Sequence, residues 1–204
     1  MSALTWGIIV AVILIGAFVW YCASLATRLD RLHWRILTTR DQLDRLAIRR
    51  ATQARTLVAA GVLDSPASDE VDAAAAACLA DVDVMMVNDG LARPLAEALA
   101  RPQDPVSTAR RTDHESALTQ ALRAHLDNAT RDRLSGDPRS HQLLEDLDMA
   151  SYRVRLARSM HNTDVTQVLR LRRKPVVRLF HLYGRAVAPQ MVDFDDDIRP
   201  EPTA

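Results

Sequence analysis

The chain has 204 residues, Lys+Arg 26 balances Asp+Glu 26, and aromatic residues make up only 4%. Zero net charge gives no bulk attraction to nucleic acid, and so few rings leave little for a base-stacking surface or an aromatic-lined pocket. The cysteines, Cys22 and Cys78, fall in an apolar stretch and an alanine-rich helix, a distribution that argues against a disulfide framework.

Trp6 to Ala23 carries no charged residue. As a helix rising about 1.5 Å per residue, a run of this length crosses a hydrocarbon core of about 30 Å. Trp6 at one end and Trp20-Tyr21 at the other are placed for the two interfaces, so residues 1–26 read as a single transmembrane anchor. No Lys or Arg precedes it, whereas Arg28, Arg31, Arg35 and Arg40 come after it. The positive-inside rule then puts the rest of the chain in the cytoplasm, making this a single-pass protein of the cell membrane. A cleaved signal peptide ending near Ser24-Leu25-Ala26 is disfavoured by the lack of a basic leading region. Trp20 and Tyr21 are too bulky for a lipoprotein site at Cys22.

Beyond the anchor, apolar positions fall at Leu25, Leu29, Leu32, Ile36, Leu43, Leu46 and Leu57, with Thr39, Arg50 and Gln53 interrupting the stripe. Steps of four and three define a helix with one packed seam. With no Gly or Pro between Ala17 and Ala60, the anchor should run unbroken into this helix and stop at Gly61. Ser65-Pro66 reads as an N-cap and first-turn proline for a helix over 69–87, ended by Asn88-Asp89-Gly90. Pro94, Pro102 and Pro105 divide the next stretch into a short helix at 94–100 and a linker at 101–112. A third helix is expected over 113–134, opened by a Thr112/Glu115 capping box. After the Ser135–Pro138 turn, the last long helix should run to Lys174. Its seam is Leu143, Leu147, Ala150, Val154, Ala157, His161, Asp164, Val168 and Leu171. The acidic tail, 188–204, is expected to be disordered. The chain thus reads as all-α, an N-terminal transmembrane helix continuing into an antiparallel bundle of about four helices over 27–187.

Two of these helices carry a family pattern. Leu29, Arg31, Leu32, Arg35, Gln42, Asp44, Arg49, Arg50, Leu57 and Val58 in the first, and Arg153-Val154, Ala157-Arg158, His161-Asn162 and Val165 in the last, resemble the LemA family. Arg40 and Arg55 stand where that family usually has tryptophan and proline, and His161 where it has tyrosine. The resemblance covers about a third of the chain. It implies a membrane-anchored helical bundle and no chemistry.

The sequence contains no HExxH, CxxC, paired-histidine spacing or glycine-rich phosphate loop. His141 and Glu145 share a helix face but lack further ligands, and Asp81 and Asp83 point to different faces. We therefore expect no catalytic residue, metal or cofactor. Two polar features remain. Arg50, His161, Asn162 and Asp164 place polar groups along the seams, and Arg49-Arg50 is a candidate partner for His161 if the helices run antiparallel. Arg170, Arg172, Arg173, Lys174 and Arg178 form a basic run interleaved with Val176, Val177, Leu179 and Phe180. If the second helix turns back and the third runs outward, the last returns to the bilayer and delivers this run to anionic lipid headgroups. Val176, Val177, Leu179 and Phe180 would dip in beside it. Nucleic acid is not an expected partner. The expected function is a non-enzymatic scaffold or adaptor at the cytoplasmic membrane face, engaging membrane or cytoplasmic proteins. The alternative is a membrane-associated enzyme with its site near His161.

Overall fold

A computed structural model describes residues 3–87, 105–184 and 186–199. It is an all-α bundle, and no strand occurs among the described residues. The elements are α1 (Ala3–Ala59), α2 (Ser65–Ala80), α3 (Pro105–His125), α4 (Asn128–Ser135), α5 (Pro138–Arg172) and α6 (Pro175–Leu179).

α1 is one uninterrupted helix of 57 residues. Its first third is bare: Ile8, Val12, Leu14, Val19 and Trp20 are exposed, and the buried face begins only at Leu25. Among the described residues, α1 is the one helix long and apolar enough to cross a membrane. Gly61 ends the run with φ +67°, a left-handed turn that favours glycine.

α1 packs chiefly against α5, which runs antiparallel to it over nearly the whole bundle. Three core clusters record the pairing. Nearest the bare segment, Leu25, Leu29 and Ile36 meet Val165, Val168 and Leu171. In the middle, Leu43 and Ala47 meet Val154 and Ala157. At the far end, Ala51, Ala54 and Leu57 join Leu144 and Leu147, with Val71, Ala75 and Cys78 of α2 and Leu118 and Leu122 of α3. α2 returns towards the bare segment of α1, and the chain beyond it reaches Asp44, whose carboxylate accepts from the Met86 amide at 3.3 Å. α3 then runs outward.

Several boundaries differ from the sequence reading, each for a local reason. Asp64, not Ser65, occupies the N-cap of α2, without a side-chain hydrogen bond. α2 ends at Ala80 rather than 87 because Arg111 donates to the carbonyls of Asp81 and Val84, giving these carbonyls side-chain donors where the helix ends. Pro105 begins α3 instead of closing a linker, since a proline is tolerated in a first turn. The linker expected at 101–112 is therefore helical from 105 on. With the helix already under way, Thr112 donates back to Ala109 at 2.7 Å and the capping box does not form. The helix expected over 113–134 breaks at Leu126-Asp127, where the Asp127 carboxylate accepts from the Thr130 amide at 2.8 Å and caps α4. Asp137 caps α5 the same way, accepting from Ser140 at 2.9 Å. On α5, Leu144 takes the buried place expected of Leu143, which is half-buried. Asn88-Asp89-Gly90 and the expected helix at 94–100 lie outside the described residues.

The tail departs most from expectation. Instead of being disordered, residues 190–199 lie extended in the space between α3 and α5. Val192, Phe194, Asp196 and Ile198 are buried while the residues between them are more exposed, the two-residue period of an extended chain. The aspartates that suggested disorder meet arginines: Asp195 takes Arg123 at 2.6 Å, Asp196 takes Arg158 at 2.6 Å, and Asp197 approaches Arg155 at 4.0 Å.

Candidate functional site

The polar seam residues divide into two separate networks. Arg50 and Glu115 are both buried, and the guanidinium donates to the Glu115 carboxylate at 2.6 Å, the Glu115 carbonyl at 3.0 Å and the Thr119 hydroxyl at 3.0 Å. Arg111, one turn before Glu115, is also buried and lies 3.6 Å from Asp44. Arg50 thus joins α1 to α3, and the expected link from Arg49-Arg50 to His161 does not form. Arg49 is exposed. The register of the antiparallel pair is the reason: His161 lies opposite Thr39, three helical turns nearer the bare segment. Burial raises the Asp44 carboxyl above its usual range, and the Arg111 charge only partly opposes this. Burial, reinforced by Glu115, pushes the Cys78 thiol up to about 12.

His161 is completely buried, its Nδ1 3.4 Å from the Thr39 hydroxyl and its Nε2 3.3 Å from the Gln190 carbonyl. Asn162 donates to the Val192 carbonyl and accepts from the Val192 amide, both at 2.9 Å. Asp164 takes Arg35 of α1 at 3.2 Å. Two of the three α5 residues thus grip the tail, and the third ties α5 to α1. Among the described residues, no three His, Cys, Asp or Glu side chains are arranged to hold a metal. His141 and Glu145 form an exposed pair at 3.3 Å.

The sequence reading missed Arg111, Glu115 and Thr119 as seam members, and Arg123 and Arg158 as the tail's anchors. The four-residue spacing of Arg111, Glu115 and Thr119 was a usable signal for one face of α3. Alternation of Val192, Phe194 and Ile198 was another, for an extended docked segment.

Comparison with known proteins gives no match among family models, curated proteins or solved structures.

The basic run lies at the end of the bundle nearest the bare segment of α1. α5 returns there, Pro175 opens α6, and Val177 is buried against the cluster containing Leu25 and Leu29. Val177 is therefore core, and half-buried Val176 packs against the same cluster, contrary to the expectation that both dip into lipid. Leu179 is 73% exposed and Phe180 51%. The Phe180 ring meets Phe18, within the bare segment of α1, edge-on with centroids 5.4 Å apart. Arg170, Arg173, Lys174 and Arg178 are exposed. Arg172 is turned inward: it donates to the Ala186 carbonyl at 3.0 Å and stacks over Tyr183 at 4.2 Å.

Proposed function

We propose that this chain is a single-pass protein of the cell membrane whose bundle stands at the cytoplasmic face as a non-enzymatic scaffold of LemA-like type. The carrying observation is the contrast between its inside and its outside. On the inside, Arg50 is tied to Glu115 and Asn162 to Val192, so these seam groups are engaged within the chain. Meanwhile Met149, Tyr152, Leu156 and Met160 leave an apolar strip exposed along α5.

The exposed residues around α6 support placing the bundle upright on the bilayer. Phe180 meets Phe18 of the apolar segment, Leu179 beside it is exposed, and so are Arg170, Arg173, Lys174 and Arg178 at the same end of the bundle. Each basic side chain near an anionic surface adds about 1 kcal/mol. Arg172 is spent on the fold and contributes less.

Proximity labelling from a tag after Ala204 tests the reading. A reproducible set of cytoplasmic or inner-membrane neighbours, together with activity of a cytoplasm-only reporter at the same place, is the expected result. Activity of an exported-only reporter there would reverse the topology.

A further inference from the structure

Besides the filled seam, α1 and α5 form an open groove of about 340 Å³ on their outer side, lined by Gln42 and Arg45 from α1 and by Arg153, Leu156 and Met160 from α5. Leu156 and Met160 are each 47% exposed, and Met149 continues their line two turns further on. Spacings of seven and four residues put these three on one helix face, a straight apolar edge about 17 Å long. The groove is basic as well, with Arg45 on its α1 side, Arg153 on its α5 side and Arg49 one turn beyond Arg45. Arg45, Arg49 and Arg153 are exposed, and among the described residues no carboxylate pairs with any of them.

We propose that this groove binds an amphipathic helix of another protein, one whose apolar stripe is flanked by Asp or Glu. The proposal rests on the scaffold reading and names the chemistry of its partner. A long apolar edge beside a row of charges is the form that receives a helix laid lengthwise, and methionines let such a surface adapt to its ligand. Charge and position argue against two other occupants. A second copy meeting this face symmetrically would set Arg45, Arg49 and Arg153 against themselves. The bilayer cannot cover it either, because Gln42 lies about 25 Å along the helix beyond Leu25. An acidic helix supplies the missing counter-charges and covers Leu156 and Met160.

The test uses the full-length chain in its native membrane, with benzoylphenylalanine incorporated at Gln42 and, as a control, at the exposed Ala73 of α2. After irradiation, the cross-linked peptides are sequenced. The expected product from Gln42 is a peptide with apolar residues at helical spacing flanked by Asp or Glu. Its yield should fall about tenfold or more in Arg45→Glu/Arg153→Glu, as like charges oppose each other across the groove. Leu156→Glu should lose it as well, while both variants keep the parent's melting temperature because these side chains are exposed. Cross-links from Gln42 to lipid, to a second copy or to a peptide without that pattern overturn the groove proposal. Protein cross-links from Ala73 with none from Gln42 overturn it and leave the scaffold reading standing. Absence of protein cross-links from both positions overturns both.

Discussion

Asn162 holds Val192 by both of its backbone polar groups, with N–H···O distances of 2.9 Å in each direction. A side-chain amide here does what a neighbouring strand would do, and fixes the extended tail in register on α5. Asn162→Ala removes both bonds and leaves the Val192 groups without a partner, so it should destabilise tail docking by about 1–3 kcal/mol. Amide hydrogen exchange over 190–199 reports this directly. Unchanged protection there would mean the arginine–aspartate contacts alone hold the tail.

The Arg50–Glu115 pair joins α1 and α3 in a fully buried setting. Arg50→Met strands a buried carboxylate and should cost about 3–5 kcal/mol, whereas the double change Arg50→Met/Glu115→Leu should recover much of that loss. Denaturant unfolding of the purified chain in detergent, followed by helicity, gives both values. A double variant no more stable than the single one would show that the pair does more than neutralise itself.

Leu43 and Leu147 are completely buried, and truncating either to Ala should cost about 2–5 kcal/mol. Arg45, exposed, should cost less than about 0.5 kcal/mol. Arg172 looks equally dispensable in the helical pattern, but its bonds to the Ala186 and Val187 carbonyls and its stacking on Tyr183 give it structural weight. We expect Arg172→Ala to cost about 1–2 kcal/mol. Thermal melts of the four variants separate these classes.

Cys78 is 2% exposed, and its thiol is raised from 9.0 to about 12 by burial and by Glu115. The folded chain should therefore resist thiolate-directed alkylation at this position at pH 8 and become reactive on unfolding. The linkage has a definite sign: ionisation is easier in the unfolded chain, so this thiol lowers stability as pH rises through 9.0 towards about 12. Alkylation of Cys78 in the native protein at the rate of the unfolded one would contradict its burial.

Asp127 and Asp137 carry carboxyls held below the ordinary 3.8 chiefly by the backbone amides of Thr130 and Ser140. A lowered folded-state value means stability present above 3.8 and lost as pH falls through the folded-state values. Half-buried Asp44, raised, acts oppositely and loses stability as pH rises above 3.8. Asp137→Asn keeps a capping oxygen without the charge, and should flatten the acid limb of a melting-temperature profile below about pH 4. An acid limb identical to the parent's would remove Asp137 from that account.

The sequence by itself determined an apolar first segment long enough to cross a membrane, the long first and last helices, and the antiparallel pairing. Each rests on local rules: an uncharged apolar run, a seam stepping by four and three, Gly61 at the stop and Asp137-Pro138 at the start. Helical periodicity says which face is buried, and Leu25 through Leu57 and Leu147 through Leu171 follow it closely. What faces a polar residue on that seam is set by register between distant segments, and periodicity is silent about register. Arg50 was therefore legible as a seam residue, but not as the partner of Glu115 rather than His161. The tail shows the same division. Its composition of Asp193, Asp195, Asp196 and Asp197 reads as solvated in isolation, because nearby carboxylates repel one another. Only the tertiary structure supplies Arg123, Arg155 and Arg158 from two separated helices, and with them the counter-charges and the apolar floor that let an acidic segment pack.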